Sequence, residues 1–198
     1  MTEARSEILA GVRAALAGVD PAPAAPTVPG VSLTPADAVA KFAERVADYR
    51  AVVERCGAAE LADRVAAALP EGSVIVPEGL SVQVPDAVVD DGTLTATDLD
   101  RIAAVVTEAR VGIAETGTIV LDHGPGQGRR IISLVPDTHV CIVHEHQVVA
   151  DVPDAVADLD PARPLTWISG PSATSDIELD RVEGVHGPRN LHVIVVAG

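Results

Sequence analysis

The chain begins with a helical hydrophobic pattern that is followed by a proline-rich stretch. Apolar residues recur every fourth position near the start, at Ile8, Val12 and Leu16. This spacing predicts an amphipathic helix over residues 2–18. Residues 20–30 contain four prolines, which indicates an extended linker. We therefore expect an N-terminal helix and linker over residues 1–30, followed by one domain over residues 31–198.

Beyond the linker, amphipathic segments alternate with short apolar runs. The pattern predicts helices over residues 35–49, 58–69, 98–107, 152–159 and 175–182. It predicts strands over residues 51–56, 73–76, 112–121, 130–135, 139–149, 165–169 and 191–196. Thr34 is placed to cap the helix that Pro35 opens. The alternation predicts an α/β domain whose sheet contains parallel and antiparallel strands.

The composition indicates how the core is built, and it disfavours nucleic-acid-binding and membrane functions. Hydrophobic residues make up 47% of the chain, yet it has one Phe, one Tyr, one Trp and one Met, so aliphatic side chains must build the core. The net charge of −15 disfavours binding to nucleic acid and to anionic membranes. No apolar run reaches the length of a bilayer span, and no secretory signal is visible. We expect a cytoplasmic protein without membrane insertion, in which Cys56 and Cys141 are buried free thiols.

The run over residues 112–121 is the first candidate site. Glu115 interrupts an otherwise apolar predicted strand, and a buried carboxylate must be paired, solvated in a cleft, or functional. Glu115 is therefore a candidate catalytic base or nucleophile, and a structural hydrogen-bonded role is the alternative. Thr116, Gly117 and Thr118 are candidate ligand-binding residues, because Gly117 leaves room for a ligand or a loop to approach.

A glycine-rich segment over residues 124–130 offers two candidate anion ligands, Arg129 and Arg130. A dinucleotide fingerprint must open a helix, but the residues that follow are predicted to form a strand. Nucleotide binding by that mechanism is therefore disfavoured. A plain turn and a flexible loop that brings an arginine to an anion remain the two interpretations.

Two further polar turns precede the predicted last helix and the last strand. In the first turn, Ser175 and Glu178 have capping-box spacing. The cap does not explain the other small and polar residues there, and the ligand-binding candidates are Gly170, Ser172, Thr174 and Asp176. In the second turn, His186 lies between glycines at the mouth of the last strand, where it is a candidate for acid–base catalysis. A hydrogen bond from His186 to backbone is the alternative.

A histidine pair raises the question of a metal site. His144 and His146 share one face of a predicted strand, a spacing that can place two imidazoles on a metal. No third ligand is near in sequence, although His123 is conceivable. We therefore expect no metal, and the sequence specifies no cofactor.

The order of four motifs resembles the lactate utilisation protein C family, also called the LUD domain family. The motifs are GIAETGTIVL, SLVPDTHVCIV, ISGPSATSDIE and VEGVHGP, and the resemblance extends over residues 112–196. It implies a three-layer α/β/α sandwich of the NagB/RpiA/CoA-transferase-like type, close to 5-formyltetrahydrofolate cyclo-ligase. The sheet of that sandwich is mixed and mostly parallel.

The resemblance also implies a function. Members of the family take part in bacterial oxidation of L-lactate to pyruvate beside iron–sulfur partner proteins. Two cysteines cannot supply a four-cysteine cluster, so any cluster is expected on the partners. In related CoA transferases a glutamate at a similar strand end is the nucleophile, and Glu115 resembles that position.

Three hypotheses follow. The first is a subunit of a lactate-oxidising system that binds a small carboxylate. The second is a stand-alone CoA-transferase-like or isomerase-like enzyme that uses Glu115. The third is a non-catalytic module that senses a ligand and binds partners through its N-terminal helix. Formation of a homo-oligomer is left open.

Overall fold

A six-stranded parallel sheet forms the centre of the fold. The structure is a computed structural model, and it describes residues 2–19, 30–174, 182–183 and 187–198. All strand pairs of the main sheet are parallel. Its strands, in spatial order, are β1 (Val52–Gly57), β12 (Asn190–Ala197), β7 (Thr138–His144), β4 (Ala104–Glu108), β2 (Val74–Val76) and β3 (Val88–Val89).

Five α-helices lie among the described residues, and the longer ones agree with the sequence pattern. They are α1 (Thr2–Ala15), α2 (Pro35–Asp48), α3 (Leu61–Ala68), α4 (Ala96–Leu99) and α5 (Val152–Asp158). Helix α2 begins as predicted, because Thr34 Oγ1 accepts a hydrogen bond from the Asp37 amide at 3.2 Å and Pro35 needs no partner at the first position.

The main sheet separates two apolar cores. On one face, Phe42 and Val46 of α2 pack with inward residues of the central strands such as Val193. On the other face, Leu61 and Val65 of α3 pack with Ile194 and its neighbours. Alternate residues of each strand therefore serve opposite faces. The arrangement confirms the predicted three-layer α/β/α sandwich with a mostly parallel sheet.

A second sheet of four strands lies beside α2. Its order is β8 (Val148–Val149), β5 (Val111–Ile113), β6 (Thr118–Leu121) and β9 (Thr166–Ile168), with antiparallel pairs except for β5 and β8. Ile119 and Leu121 join the core beneath α2, while Val120 packs with Ala155 of α5. A short antiparallel pair, β10 (Ala173–Thr174) and β11 (Val182–Glu183), completes the strands.

The predicted helix over residues 98–107 is wrong. Helix α4 ends at Leu99, and residues 104–108 form β4, a buried inner strand of the main sheet. Thr95 is the N-cap, and it forms a reciprocal capping box with Asp98. The run Val105-Val106-Thr107 is β-branched, and such side chains fit a buried strand better than a helix.

Three predicted strands also need correction. Residues 112–121 form two strands, β5 and β6, joined by a turn. Residues 130–133 form a 3-10 turn in place of a strand, and Ser133 Oγ donates to the Arg130 carbonyl at 3.0 Å within it. The predicted strand over residues 139–149 is interrupted by a 3-10 turn at residues 145–147. The predicted helix over residues 175–182 lies outside the described residues, except that Val182 belongs to β11.

The N-terminal helix has no buried apolar face among the described residues. Ile8, Val12 and Leu16 of the predicted stripe are 67%, 48% and 58% exposed. Beyond the linker, the Val31 amide donates to Asp151 Oδ2 at 2.8 Å, which ties the start of the predicted domain to the N-cap of α5. Both cysteines are free and buried, as predicted. No described helix has the length and apolar character needed to cross a bilayer.

Candidate functional site

A pocket of about 300 Å³ lies near the amino-terminal ends of β7 and β12, beside β9. It is named here the hydroxyl pocket. Its polar lining comes from Arg130, Ser133, His139, Thr166, Ser169 and Ser172, and its apolar lining includes Leu134, Trp167 and Leu191. None of the described residues that line it is Asp or Glu. Since the chain carries 29 acidic residues, the lack of carboxylates among the described lining residues makes this pocket a candidate anion site.

His139 forms the buried wall of this pocket. The residue is 1% exposed, and its Nε2 lies 2.8 Å from Thr107 Oγ1 on the neighbouring strand β4. Thr107 Oγ1 also donates to Cys141 Sγ at 3.7 Å. Burial lowers the pKa of His139 to about 4. The imidazole is therefore neutral near pH 7, and it presents one donor and one acceptor nitrogen.

Arg130 is the cation of the hydroxyl pocket, and it is both the last residue of the glycine-rich segment and the first residue of the 3-10 turn. Its side chain makes no hydrogen bond or ion pair with another residue in the described part of the chain. An arginine without an internal partner can form a bidentate pair with a ligand carboxylate. The hydroxyl groups nearby can satisfy remaining acceptor positions on such a ligand.

A chain of hydroxyl groups connects the second sheet to the pocket. Thr116 Oγ1 donates to Thr118 Oγ1 at 2.8 Å, and Thr118 Oγ1 lies 2.8 Å from Ser169 Oγ. The Ser172 amide donates to the Pro188 carbonyl at 2.8 Å, which brings the turn before β10 beside the start of β12. Of the predicted residues, Ser172 lines the pocket together with Arg130, whereas Thr116 and Thr118 do not line it and are connected to it through Ser169.

Arg129 belongs to a different hollow, which is named here the acidic cleft. This open cleft of about 720 Å³ lies at the carboxyl ends of β2 and β3, and its charged lining is Glu78, Asp90, Asp91, Arg129 and Arg163. Arg129 pairs with Asp90 through two hydrogen bonds of 2.8 and 2.9 Å and donates a third to the Leu94 carbonyl at 2.8 Å. Asp90 raises the pKa of Arg129 by that hydrogen bonding. The guanidinium already has the partner that a ligand would provide.

Hydrogen bonds join the glycine-rich segment to the residues around the acidic cleft. The Gly126 amide donates to the Glu78 carbonyl at 2.9 Å, and the Glu108 amide donates to the Gly126 carbonyl at 2.7 Å. His123 bridges Gly128 O and Thr166 Oγ1 through its two ring nitrogens, at 2.8 and 3.0 Å. These hydrogen bonds give the segment a defined conformation, and the binding of an anion by one of its arginines stays a prediction.

Glu115 does not have the environment that made it a candidate. It lies in the turn between β5 and β6, where its side chain is exposed and its amide donates to the Ala150 carbonyl at 3.1 Å. The premise of a carboxylate buried within a strand was wrong, because the strand ends before it. Glu115 is not among the residues that line the hydroxyl pocket. Its catalytic role stays a prediction.

The close approach predicted at Gly117 is made by helix α2. A Cβ atom at Gly117 would lie 2.7 Å from the Arg45 carbonyl carbon, and one at Gly170 would lie 2.5 Å from Tyr49 Cβ. Both glycines also have positive φ, +60° and +82°. They fix the second sheet and the pocket rim against the end of α2.

The side chains of three predicted site residues are not described by the structure. His186 and Asp176 lie outside the described residues, and Thr174 is described only by its backbone pairing with Val182. Their predicted roles stand as predictions. The rings of His144 and His146 are 5.4 Å apart, and no group of three potential metal ligands occurs among the described residues.

Sequence reasoning missed His139, Thr107 and Ser169. A partial signal was present, because His139 and Cys141 are polar or polarisable residues at inward positions of an apolar strand. The partner Thr107 was hidden by the wrong helix prediction for its segment.

Comparison with known proteins places this geometry in a family. The sequence profile of the LUD domain matches residues 90–196. A protein named lactate utilization protein C from Deinococcus radiodurans is 47% identical over 98% of this chain and 96% of its own length. This chain belongs to the LUD domain family. The matched region of this LUD protein contains every described residue that lines the hydroxyl pocket, including Arg130 and His139.

Other relatives agree with this membership. Lactate utilization protein C from Bacillus licheniformis is 35% identical over 60% of this chain and 52% of its own length, so the aligned region spans about half of that relative. A crystal structure of a DUF162 family protein from Deinococcus radiodurans superposes with a TM-score of 0.71 and 40% identity. The superposition covers 83% of this LUD protein and 99% of that chain, which confirms the fold.

Proposed function

We propose that this LUD protein binds a short carboxylic acid, L-lactate or its oxidation product pyruvate, in the hydroxyl pocket and serves bacterial lactate utilization. The observation that carries the proposal is that Arg130 lines a pocket whose other described lining residues include no carboxylate. The names of the Deinococcus and Bacillus relatives support the choice of lactate. A pocket of about 300 Å³ is compatible with so small a ligand.

In this proposal the ligand carboxylate pairs with the Arg130 guanidinium, and the Ser169 and Ser172 hydroxyls complete its hydrogen bonds. The apolar residues Leu134 and Leu191 face the methyl group of the ligand. A charged ligand inside an acidic protein needs this local arrangement, because the net charge of −15 otherwise repels it.

Oxidation of L-lactate to pyruvate releases two electrons and two protons, and iron–sulfur partner subunits accept the electrons in this proposal. This chain has two cysteines, both buried and on different strands, which cannot ligate a four-cysteine cluster. The exposed apolar stripe of α1 is the proposed contact with those partners. Co-purification with a co-expressed iron–sulfur subunit, lost on deletion of residues 2–18, would support this assignment. Retention of the complex by the truncated chain would contradict it.

The ligand assignment is tested by calorimetric titration of the purified protein with L-lactate and pyruvate. We expect binding that Arg130→Gln weakens by about tenfold or more, since hydrogen bonds to charged groups contribute about 1.5–3 kcal/mol. Arg129→Gln is the matched control, because it removes the adjacent arginine from the acidic cleft and leaves the hydroxyl pocket intact. Absence of binding, or equal weakening by the two variants, would overturn the proposal.

A further inference from the structure

The proposed carboxylate contact leaves three buried polar side chains of the hydroxyl pocket unused: Ser133, His139 and Thr166. Ser133 Oγ donates to the Arg130 carbonyl and Thr166 Oγ1 lies 3.0 Å from His123 Nε2, so His139 is the one with an unpartnered polar atom. Its Nε2 is engaged by Thr107, whereas its Nδ1 has no hydrogen bond to any residue in the described part of the chain. The side chain is nonetheless 1% exposed and lines the pocket. Because His139 lines the pocket and its Nδ1 has no protein partner there, this nitrogen is available to a ligand group that can donate or accept a hydrogen bond.

The partner that Nδ1 needs is a neutral group. A neutral imidazole offers either an N–H donor or a lone pair, according to the tautomer. A hydroxyl group matches both, because it can donate and accept. A carboxylate matches only the donor tautomer, and Arg130 already provides its stronger partner.

We infer that His139 determines specificity in this pocket by pairing with the oxygen on the carbon next to the ligand carboxylate. The inference rests on the proposed function, and it adds a second contact at the buried end of the site. Arg130 lies on the exposed side and holds the carboxylate, while His139 lies on the buried side and selects for the neighbouring hydroxyl. Acids that lack this oxygen leave Nδ1 unpaired and bind less tightly.

Thr107 is a positioning residue in this arrangement. Its hydroxyl lies between His139 Nε2 at 2.8 Å and Cys141 Sγ at 3.7 Å. The contact with Nε2 restricts rotation of the imidazole. Without it the ring is free to rotate away from the ligand oxygen, so Thr107 acts on specificity through His139.

The inference is tested with L-lactate and propionate, which differ in the hydroxyl on the carbon next to the carboxylate. For the wild-type protein we expect L-lactate to bind about five- to tenfold more tightly, the effect of about one hydrogen bond. His139→Phe keeps a ring of similar size without polar atoms, and Thr107→Val keeps the shape of the threonine without its hydroxyl. In both variants the affinity ratio should fall toward one.

His192→Phe is the matched control, because His192 lies on the adjacent strand β12 and does not line the hydroxyl pocket. The ratio should be unchanged in that variant. If a variant fails to fold, nitrogen NMR of the wild-type imidazoles replaces it: L-lactate should shift Nδ1 of His139, and propionate should not.

The outcomes separate the inference from the proposed function. Equal binding of L-lactate and propionate by the wild-type protein, or a ratio that survives both substitutions, overturns the role of His139 and leaves the carboxylate site in place. Binding of neither acid overturns the proposed function and the inference with it.

Discussion

Arg129 and Arg130 are neighbours in sequence, but they belong to two hollows with opposite chemistry. Arg129 lines the acidic cleft and pairs with Asp90, whose side chain is 5% exposed. Arg130 lines the hydroxyl pocket, where the described lining contains no carboxylate. Arg129 stabilises the fold through an internal ion pair, whereas Arg130 makes no such pair among the described residues and is the proposed ligand contact. The distinction depends on which acidic groups lie within reach and not on the residue type.

The two hollows also lie at different places in the fold. Ligands of open α/β sheets commonly bind at the carboxyl ends of the strands, where the acidic cleft lies. In this LUD protein the glycine-rich segment occupies that edge and is tied to Glu78 and Glu108 by backbone hydrogen bonds. The proposed anion site lies near the opposite end of β7, beside β9 and the segment that follows it, and His139 lines it. The chemistry of the lining therefore decides between the two hollows.

The largest expected effect is on the free energy of unfolding, and it differs between a glycine of the hydroxyl pocket and a glycine of the acidic cleft. Gly170→Ala should lower the free energy of unfolding by about 3 kcal/mol, because a Cβ atom would lie 2.5 Å from Tyr49 Cβ at a residue with φ of +82°. Gly92→Ala in the acidic cleft should cost about 1 kcal/mol, since its φ of +84° causes strain but no atom lies within 4 Å. Urea denaturation measures both. Equal losses would show that Gly170 does not pack the pocket rim on α2.

Placing a carboxylate in the hydroxyl pocket should remove the contrast between the hollows. Ser169→Asp is expected to weaken L-lactate binding by about 2.5 kcal/mol, on the order of 50-fold, because like charges repel and Arg130 gains an internal partner. Ser169 is exposed, so the protein should still fold. Glu78→Gln, which removes a carboxylate from the acidic cleft, serves as the control in the same titration. An unchanged Kd for Ser169→Asp would place the ligand elsewhere.

Breaking the ion pair of the acidic cleft should change stability and leave binding unaffected. Arg129→Gln strands the buried Asp90 carboxylate and should lower the free energy of unfolding by about 2 kcal/mol, with the Kd for L-lactate unchanged. Denaturation and calorimetry on the same sample measure the two effects. A large loss of affinity with native stability would reverse the roles assigned to the two arginines.

The smallest expected effect is the change in stability with pH that the buried His139 imidazole causes. The pKa of His139 falls from 6.5 to about 4 on folding, so the unfolded chain binds more protons between these values. Stability from this residue is complete above the unfolded pKa and is lost as the pH falls toward 4. We expect a loss of about 1 kcal/mol between about pH 7 and pH 5.5, measured by denaturation. His139→Phe should lack this part of the pH dependence, and an identical pH profile would show that His139 titrates normally.

Much of the architecture followed from the sequence because its signals are local. Thr34 and Pro35 set the start of α2 through a cap and a fixed φ, and the apolar run of β12 predicts a buried strand. The three-layer sandwich was predicted from the family motifs, because no single hydrophobic periodicity specifies how the layers pack. The segment over residues 98–107 failed because alanines and a capping signal resemble a helix, whereas burial in the main sheet selected the β-branched Val105 and Val106 for β4.

The candidate site was predicted less completely, because its members meet through tertiary contacts. Ser172 and Arg130 were named from their motifs, but their shared pocket depends on the 3-10 turn after Arg129 and on the pairing of β6 with β9. His139 depends on Thr107 from another strand, a contact of sequence separation 32. Glu115 was favoured by its motif, and the hairpin turn placed it on the surface instead.

The claim that L-lactate binds in the hydroxyl pocket is tested most directly by the structure of a protein crystal soaked with L-lactate. The account predicts ligand density in the hydroxyl pocket, with the carboxylate on Arg130 and the hydroxyl oxygen facing His139 Nδ1. Density in the acidic cleft against Arg129, or an unchanged hydroxyl pocket at saturating L-lactate, would contradict it.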